Sequence, residues 1–146
     1  MFNKLKLIVI IAIMNITTVV SQEEERALQS ALNLKQLQEV ITDQSNANET
    51  TPIIMVVGDR IPRDLDVHIF NEKIKIIEDE NELSLTKKGH PYLELGKAKI
   101  KNDKAEYIFF YKKMKMVVEL KKQSGNWKLK DFTKKKRKNF SWLFDF

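Results

Sequence analysis

The sequence predicts one α+β domain, in which an amphipathic N-terminal helix packs on a bent, mostly antiparallel sheet that ends in a four-strand meander. Three observations carry this expectation. From Tyr92 to Phe132 apolar and polar residues alternate in four short runs, the period of strands with one buried face. From Glu23 to Thr42 apolar residues recur at spacings of three and four, the period of a helix with one apolar stripe. Between these segments, Ile53-Ile54-Met55-Val56-Val57 is a short β-branched run bounded by Pro52 and Gly58, the signature of a buried strand.

In chain order, residues 1–21 read as a signal peptide. Lys4 and Lys6 form a positive start, and Leu7 to Met14 an apolar stretch too short to span a bilayer. Val19-Val20-Ser21 fits a small-residue cleavage site, with the cut after Ser21. An uncleaved N-terminal membrane anchor is the alternative. The helix follows, with Ala27, Leu28, Ala31, Leu34, Leu37, Val40 and Ile41 on its stripe. Glu23, Glu24 and Glu25 sit at the positive end of its dipole. Ser45 to Thr51 is a polar loop. Beyond the Ile53–Val57 strand, Leu65, Val67 and Ile69 alternate with Asp64, Asp66 and His68, and Lys73 to Ile77 reads as another short strand. A second helix is expected over Asp79–Lys88, with acids at its start, Lys87 and Lys88 at its end, and Gly89 as its stop.

In the meander, Asn102-Asp103 and Ser124-Gly125 supply tight turns, because these residues tolerate positive φ or bond their own backbone. The Lys112-Lys113 turn has no such residue. The first strand changes phase between Leu93/Leu95 and Ala98/Ile100, which one extra residue at Gly96 would repair, so a β-bulge and a bend are expected there. The core face then holds Ala98, Ile100, Tyr107, Phe109, Met116, Val118, Leu120, Trp127 and Leu129. The reverse face carries Ile108, Phe110 and Val117 and needs a cover. The domain spans residues 22–132, followed by a basic and aromatic tail over 133–146.

The 146 residues contain no cysteine, which excludes disulfides, a thiolate metal site and a catalytic thiol. The net charge of +6 conceals an asymmetry, since residues 22–96 carry −7 and residues 97–146 carry +11. Either the halves neutralise each other across the fold, or the basic half faces an anionic partner. Lysines on strands also guard sheet edges against pairing with other chains.

Asp64, Asp66 and His68 would share one face of a strand. They could bind a divalent cation or form the solvated side of an edge. His90, between Gly89 and Pro91, has no partner in sequence that would make it a general base. No phosphate-binding glycine loop, nucleophile elbow or zinc-helix motif is present, and no cofactor is implied. The triplets Asn48-Glu49-Thr50 and Asn139-Phe140-Ser141 are glycosylation sequons where the host glycosylates. Lys134, Lys135, Lys136, Arg137 and Lys138, followed by Trp142, form a candidate anionic-surface element, with lysines on head groups and aromatics in the interface. Alternatively the tail folds back over Ile108, Phe110 and Val117.

The stretches Lys99-Ile100-Lys101-Asn102-Asp103-Lys104-Ala105 and Ser124-Gly125-Asn126-Trp127-Lys128-Leu129 resemble the closing strands of NTF2-like and cystatin-like α+β domains. In those families a strand, a polar turn ending in Ala and a late Gly-x-Trp-Lys strand recur. The chain is also similar to small exported proteins of Gram-negative bacteria of the Bacteroidota type, where Ser21-Gln22 would be the cleavage junction. The resemblance implies a fold and no activity. The expected function is that of a non-catalytic, periplasmic or secreted binding or accessory protein. Its basic half would face an anionic membrane surface, an acidic polysaccharide or an envelope protein, and export argues against nucleic acid. The enzyme alternative is a small hydrolase or isomerase with a pocket on an NTF2-like fold.

Overall fold

The computed structural model describes residues 22–46, 52–79, 81–82 and 91–137. The signal peptide, the Asn48 sequon, most of the helix expected over Asp79–Lys88, His90, Lys138, Asn139 and Trp142 lie outside the described residues. Two N-terminal helices, α1 (described over residues 22–32) and α2 (Lys35–Gln44), precede eight strands. These are β1 (Ile54–Val56), β2 (His68–Ile69), β3 (Glu72–Lys73), β4 (Lys75–Ile77), β5 (Leu93–Lys101), β6 (Lys104–Tyr111), β7 (Met114–Gln123) and β8 (Asn126–Lys136). Six of them form one sheet in the order β4-β1-β5-β6-β7-β8, and β2 and β3 form a separate hairpin. β1 runs parallel to β4 and β5, whereas β5 to β8 form an antiparallel meander. The α+β class and the mostly antiparallel sheet are as the periodicity predicts.

The single helix expected over Glu23–Thr42 is broken at Asn33-Leu34. Ala27, Leu28, Ala31 and Leu32 are buried from α1, and Leu37, Val40 and Ile41 from α2. At 100° per residue, an unbroken helix would set those two stripes roughly 150° apart. Only a change of axis lets both face the sheet. Leu34 is extended at the break and offers no side-chain cap to α2. The Gln38 side-chain amide donates back to the Leu32 carbonyl at the end of α1 (3.0 Å), which ties the two helices together. At the far end of α2, Ser45 Oγ lies 3.1 Å from Tyr111 Oη, and Lys112 Nζ donates to the Gln44 carbonyl (2.8 Å). A cation on a helix's last carbonyls is favourable. It also accounts for the turn with no obvious turn former. Tyr111 pairs with Met114 across a two-residue turn, with Lys112 at φ 51°.

The bulge expected at Gly96 is present: the β5–β6 register shifts between Leu95 and Lys97. Leu93 and Leu95 before it, and Ala98 and Ile100 after it, therefore all pack on the helix side of the sheet. Tyr107, Phe109, Tyr111, Met116, Val118 and Leu120 are buried there, while Trp127, Leu129 and Phe132 are half-buried against the same core. Each large apolar side chain so buried contributes about 1.5–3 kcal/mol. The Gly96 carbonyl accepts from Arg60 Nε (2.8 Å), which ties the bulge to the loop after β1. β8 continues past Phe132 to Lys136, so Lys134, Lys135 and Lys136 of the basic run belong to the sheet. A second bulge, at Lys130, lies where the β7–β8 register shifts.

A Cβ at position 96 would overlap the ring of Phe110 on the neighbouring strand. Gly96→Ala is expected to lower stability by about 1–3 kcal/mol, the usual cost of overpacking. Adding Phe110→Leu should recover part of the loss, because the two sites are in contact and not additive. Urea unfolding of the two single variants and the double variant reads both effects.

Candidate functional site

The meander divides the charge between two faces. Three two-residue turns, at residues 102–103, 112–113 and 124–125, align the outer face, which carries no helix among the described residues, into rows across the strands. One row is made of lysines alone: Lys101 pairs with Lys104, Lys104 with Lys121, and Lys121 with Lys128. All four are exposed, and none has an ion-pair partner among the described residues. Like charges directly opposite on neighbouring strands destabilise a sheet. The next row along is Lys99, Glu106, Glu119 and Asp131. Beyond it come Lys97, Ile108, Val117 and Thr133, and then Glu94, Phe110, Lys115 and Lys135.

Members of the first two rows line an open groove of about 570 Å³, among them Lys99, Lys101, Lys104 and Lys121, together with Lys130. Asp103, Glu106 and Glu119 line it as well. Glu106 is already engaged, since Lys97 Nζ lies 3.0 Å from its carboxylate.

The basic run named as a candidate site is split by this geometry. Lys135 lies on the outer face, in register with Lys115. Lys134 and Lys136, in register with Met116 and Met114, lie on the helix side. The Arg137 guanidinium stacks over Phe110 (4.5 Å to the ring centroid), and Nη1 reaches Glu94 (3.4 Å). Arg137 thus covers part of the apolar outer face formed by Ile108, Phe110 and Val117, which is half-buried.

Asp64, Asp66 and His68 are exposed, while the alternating Leu65, Val67 and Ile69 are buried. Only His68 of the three is in a strand; Asp64 sits in a turn. Asp66 lies 3.8 Å from His68 Nδ1 and 4.0 Å from Lys73 Nζ, so a lysine already faces this carboxylate. Among the described residues no group of three ligand side chains converges on a common point. The backbone of His68 is held by Gln29 of α1, whose amide both accepts from His68 N (2.7 Å) and donates to its carbonyl (2.9 Å).

On the helix side, Lys122 links the sheet to the start of α1 through Glu23 (2.9 Å) and lies over the Trp127 ring (5.9 Å). The Lys122 hydrogen bond holds the Glu23 carboxyl below its ordinary range, against the opposing effect of partial burial. The Lys122 charge adds to the lowering, and the buried Trp127 indole N–H beside it has no hydrogen-bond partner among the described residues. Tyr107 Oη is also buried without a hydrogen-bond partner among the described residues; burial first, and Glu24 second, push its phenol well above the ordinary range.

Comparison with family models, with curated proteins and with solved structures finds no match for this chain.

The lysine row escapes a reading by composition because its members lie up to 27 positions apart. The signal that would have found it is the turn length, since a two-residue turn fixes which residues stand opposite.

A depressed carboxyl stabilises the fold above its unfolded pKa, near 4.5 for Glu23, and that stability is lost as pH falls through the folded value. Glu23→Gln is therefore expected to lower stability at pH 7 by about 0.2–1 kcal/mol, the range for a partly exposed ion pair. The difference from the parent should close as the pH falls below the folded value. Thermal melts across an acid pH series check the sign and the window.

Proposed function

We propose that this chain is an exported, non-catalytic binding or accessory module that presents the outer face of its meander to an anionic partner. The observation that carries the reading is the uncompensated row Lys101–Lys104–Lys121–Lys128. Directly opposed like charges cost about 0.2–1 kcal/mol per pair. A strand face kept soluble by alternating signs would avoid that cost. A ligand that supplies the missing negative charge removes it and gains the attraction as well.

What supports binding over catalysis is the distribution of ionisable groups. Among the described residues no charged side chain is buried, and the groove walls are lined mostly by lysines and carboxylates. The enzyme alternative would call for titratable groups converging in an apolar cavity. Export rests on the pattern of Lys4, Lys6 and the Leu7–Met14 stretch, with cleavage after Ser21. Among the described residues, no helix is long and apolar enough to cross a membrane. Lys135 and Lys115 extend the positive field of the same face, and Arg137 serves to cover Phe110.

The double variant Lys104→Gln/Lys121→Gln removes all three like-charge pairs of the row. It is expected to melt at a higher temperature than the parent at low salt, by the equivalent of on the order of 1 kcal/mol. Inorganic tripolyphosphate should raise the melting temperature of the parent and leave that of the variant unchanged, because a ligand of the folded state stabilises in proportion to its binding. Equal responses of the two proteins, or none in either, would overturn the assignment of this face.

A further inference from the structure

We infer that the anionic partner is an acidic polysaccharide, lying across the strands along the Lys101–Lys104–Lys121–Lys128 row; this rests on the anion-binding reading above. The argument is one of shape and of what flanks the row. Neighbouring strands stand about 4.8 Å apart, so four lysines in register make a line of charge roughly 14 Å long and one side chain wide. The adjacent row, about 7 Å further along the strands, holds the carboxylates of Glu106, Glu119 and Asp131. Lys97 compensates the first of these; Glu119 and Asp131 have no ion-pair partner among the described residues. A planar anionic surface pressed on this face would meet those carboxylates together with the lysines. A narrow chain with charges at intervals meets the lysines alone. The carboxylate row then acts as a rail that repels any polyanion not aligned with the lysines.

Among the described residues, the other partner classes lack what they need here. Single-stranded nucleic acid binds through basic grooves combined with aromatic platforms for its bases. The aromatic residues of the meander strands face the helix side, except Phe110, and Arg137 covers that ring. A folded protein partner wants an apolar centre to its contact, and the row is bordered by charge. A sugar chain carrying one carboxylate per residue needs neither aromatic stacking nor a broad apolar contact. Its many hydroxyls also suit the polar rim of Asn102 and Asp103 at the groove.

The test is titration of the chain from Gln22 onward with polygalacturonate oligomers of two, four and six sugars. Parallel arms use phosphatidylglycerol vesicles, a thymidine oligonucleotide and polyglutamate, all at the same ionic strength. The four-sugar oligomer is expected to bind at least tenfold more tightly than the two-sugar one, with little further gain at six, since the row is then filled. Lys104→Gln/Lys121→Gln should weaken that binding at least tenfold. Lys134→Gln/Lys136→Gln, which removes the same charge from the opposite face, should change it less than threefold. Binding tighter to vesicles, oligonucleotide or polyglutamate than to the oligosaccharide, or equal losses in the two double variants, overturns the inference. A tripolyphosphate response without oligosaccharide binding overturns the inference and leaves the anion-binding reading standing. The absence of both removes the reading as well.

Discussion

The extra residue at Gly96 keeps one face of β5 apolar along its whole length, and the separation of core from charge depends on it. Without the bulge, either Leu93 and Leu95 or Ala98 and Ile100 would turn outward, because side chains alternate strictly along a strand. With it, all four join the cluster beneath α1 and α2, and Lys97, Lys99 and Lys101 are displayed together outside. The same position must lack a Cβ, since the Phe110 ring occupies that space. Arg60 holds the bulge carbonyl from one side, and Arg137 closes over Phe110 from the other. Two arginines far apart in sequence thus serve one local irregularity.

The charge asymmetry between the two halves of the chain resolves only in part into internal neutralisation. Glu23 meets Lys122, and Glu94 meets Arg137, so acidic residues of the first half do pair with basic ones of the second. Yet the lysines of the first outer row remain without carboxylate partners among the described residues, although Glu119 and Asp131 lie one row away. Carboxylates within reach but out of register distinguish a row that keeps its charge from a surface that is merely basic. Edge protection explains lysine on β8, the outermost strand, but not Lys104 and Lys121 on strands with neighbours on both sides.

The fold was legible in the sequence where period and turn chemistry agreed. Asn102-Asp103 and Ser124-Gly125 turn as their backbone preferences require, with Asn102, Ser124 and Gly125 at positive φ. The helix break was harder to see, because Leu34 continues a plausible stripe while Leu32, which is the buried residue, falls off it. Spacing alone cannot choose between two stripes when the axis itself changes. The hairpin of β2 and β3 has no local signal, for a different reason. Its turn residues Phe70 and Asn71 sit at φ 51° and 64°, and Phe is a residue that turn preferences argue against there. Phe70 is nevertheless packed against the core, so tertiary contact outweighs local preference.

The candidate site was legible in a different sense. The basic run at residues 134–138 draws the eye because its charges are contiguous, yet contiguous residues on a strand diverge to opposite faces. Lys134 and Lys136 go one way, Lys135 the other, and Arg137 is taken by Phe110 and Glu94. The lysines that do converge are scattered singly through the sequence. Around a two-residue turn the position numbers of facing residues have a constant sum. Lys101 therefore faces Lys104, which faces Lys121, which faces Lys128, once the three turns are placed. Two of those turns carry recognisable residues. The third is set by Lys112, whose ammonium is held at the end of α2 while its backbone occupies the left-handed region. The register that aligns the outer lysines is thus pinned in part by a contact on the helix end of the molecule, and no local reading of the meander contains that contact.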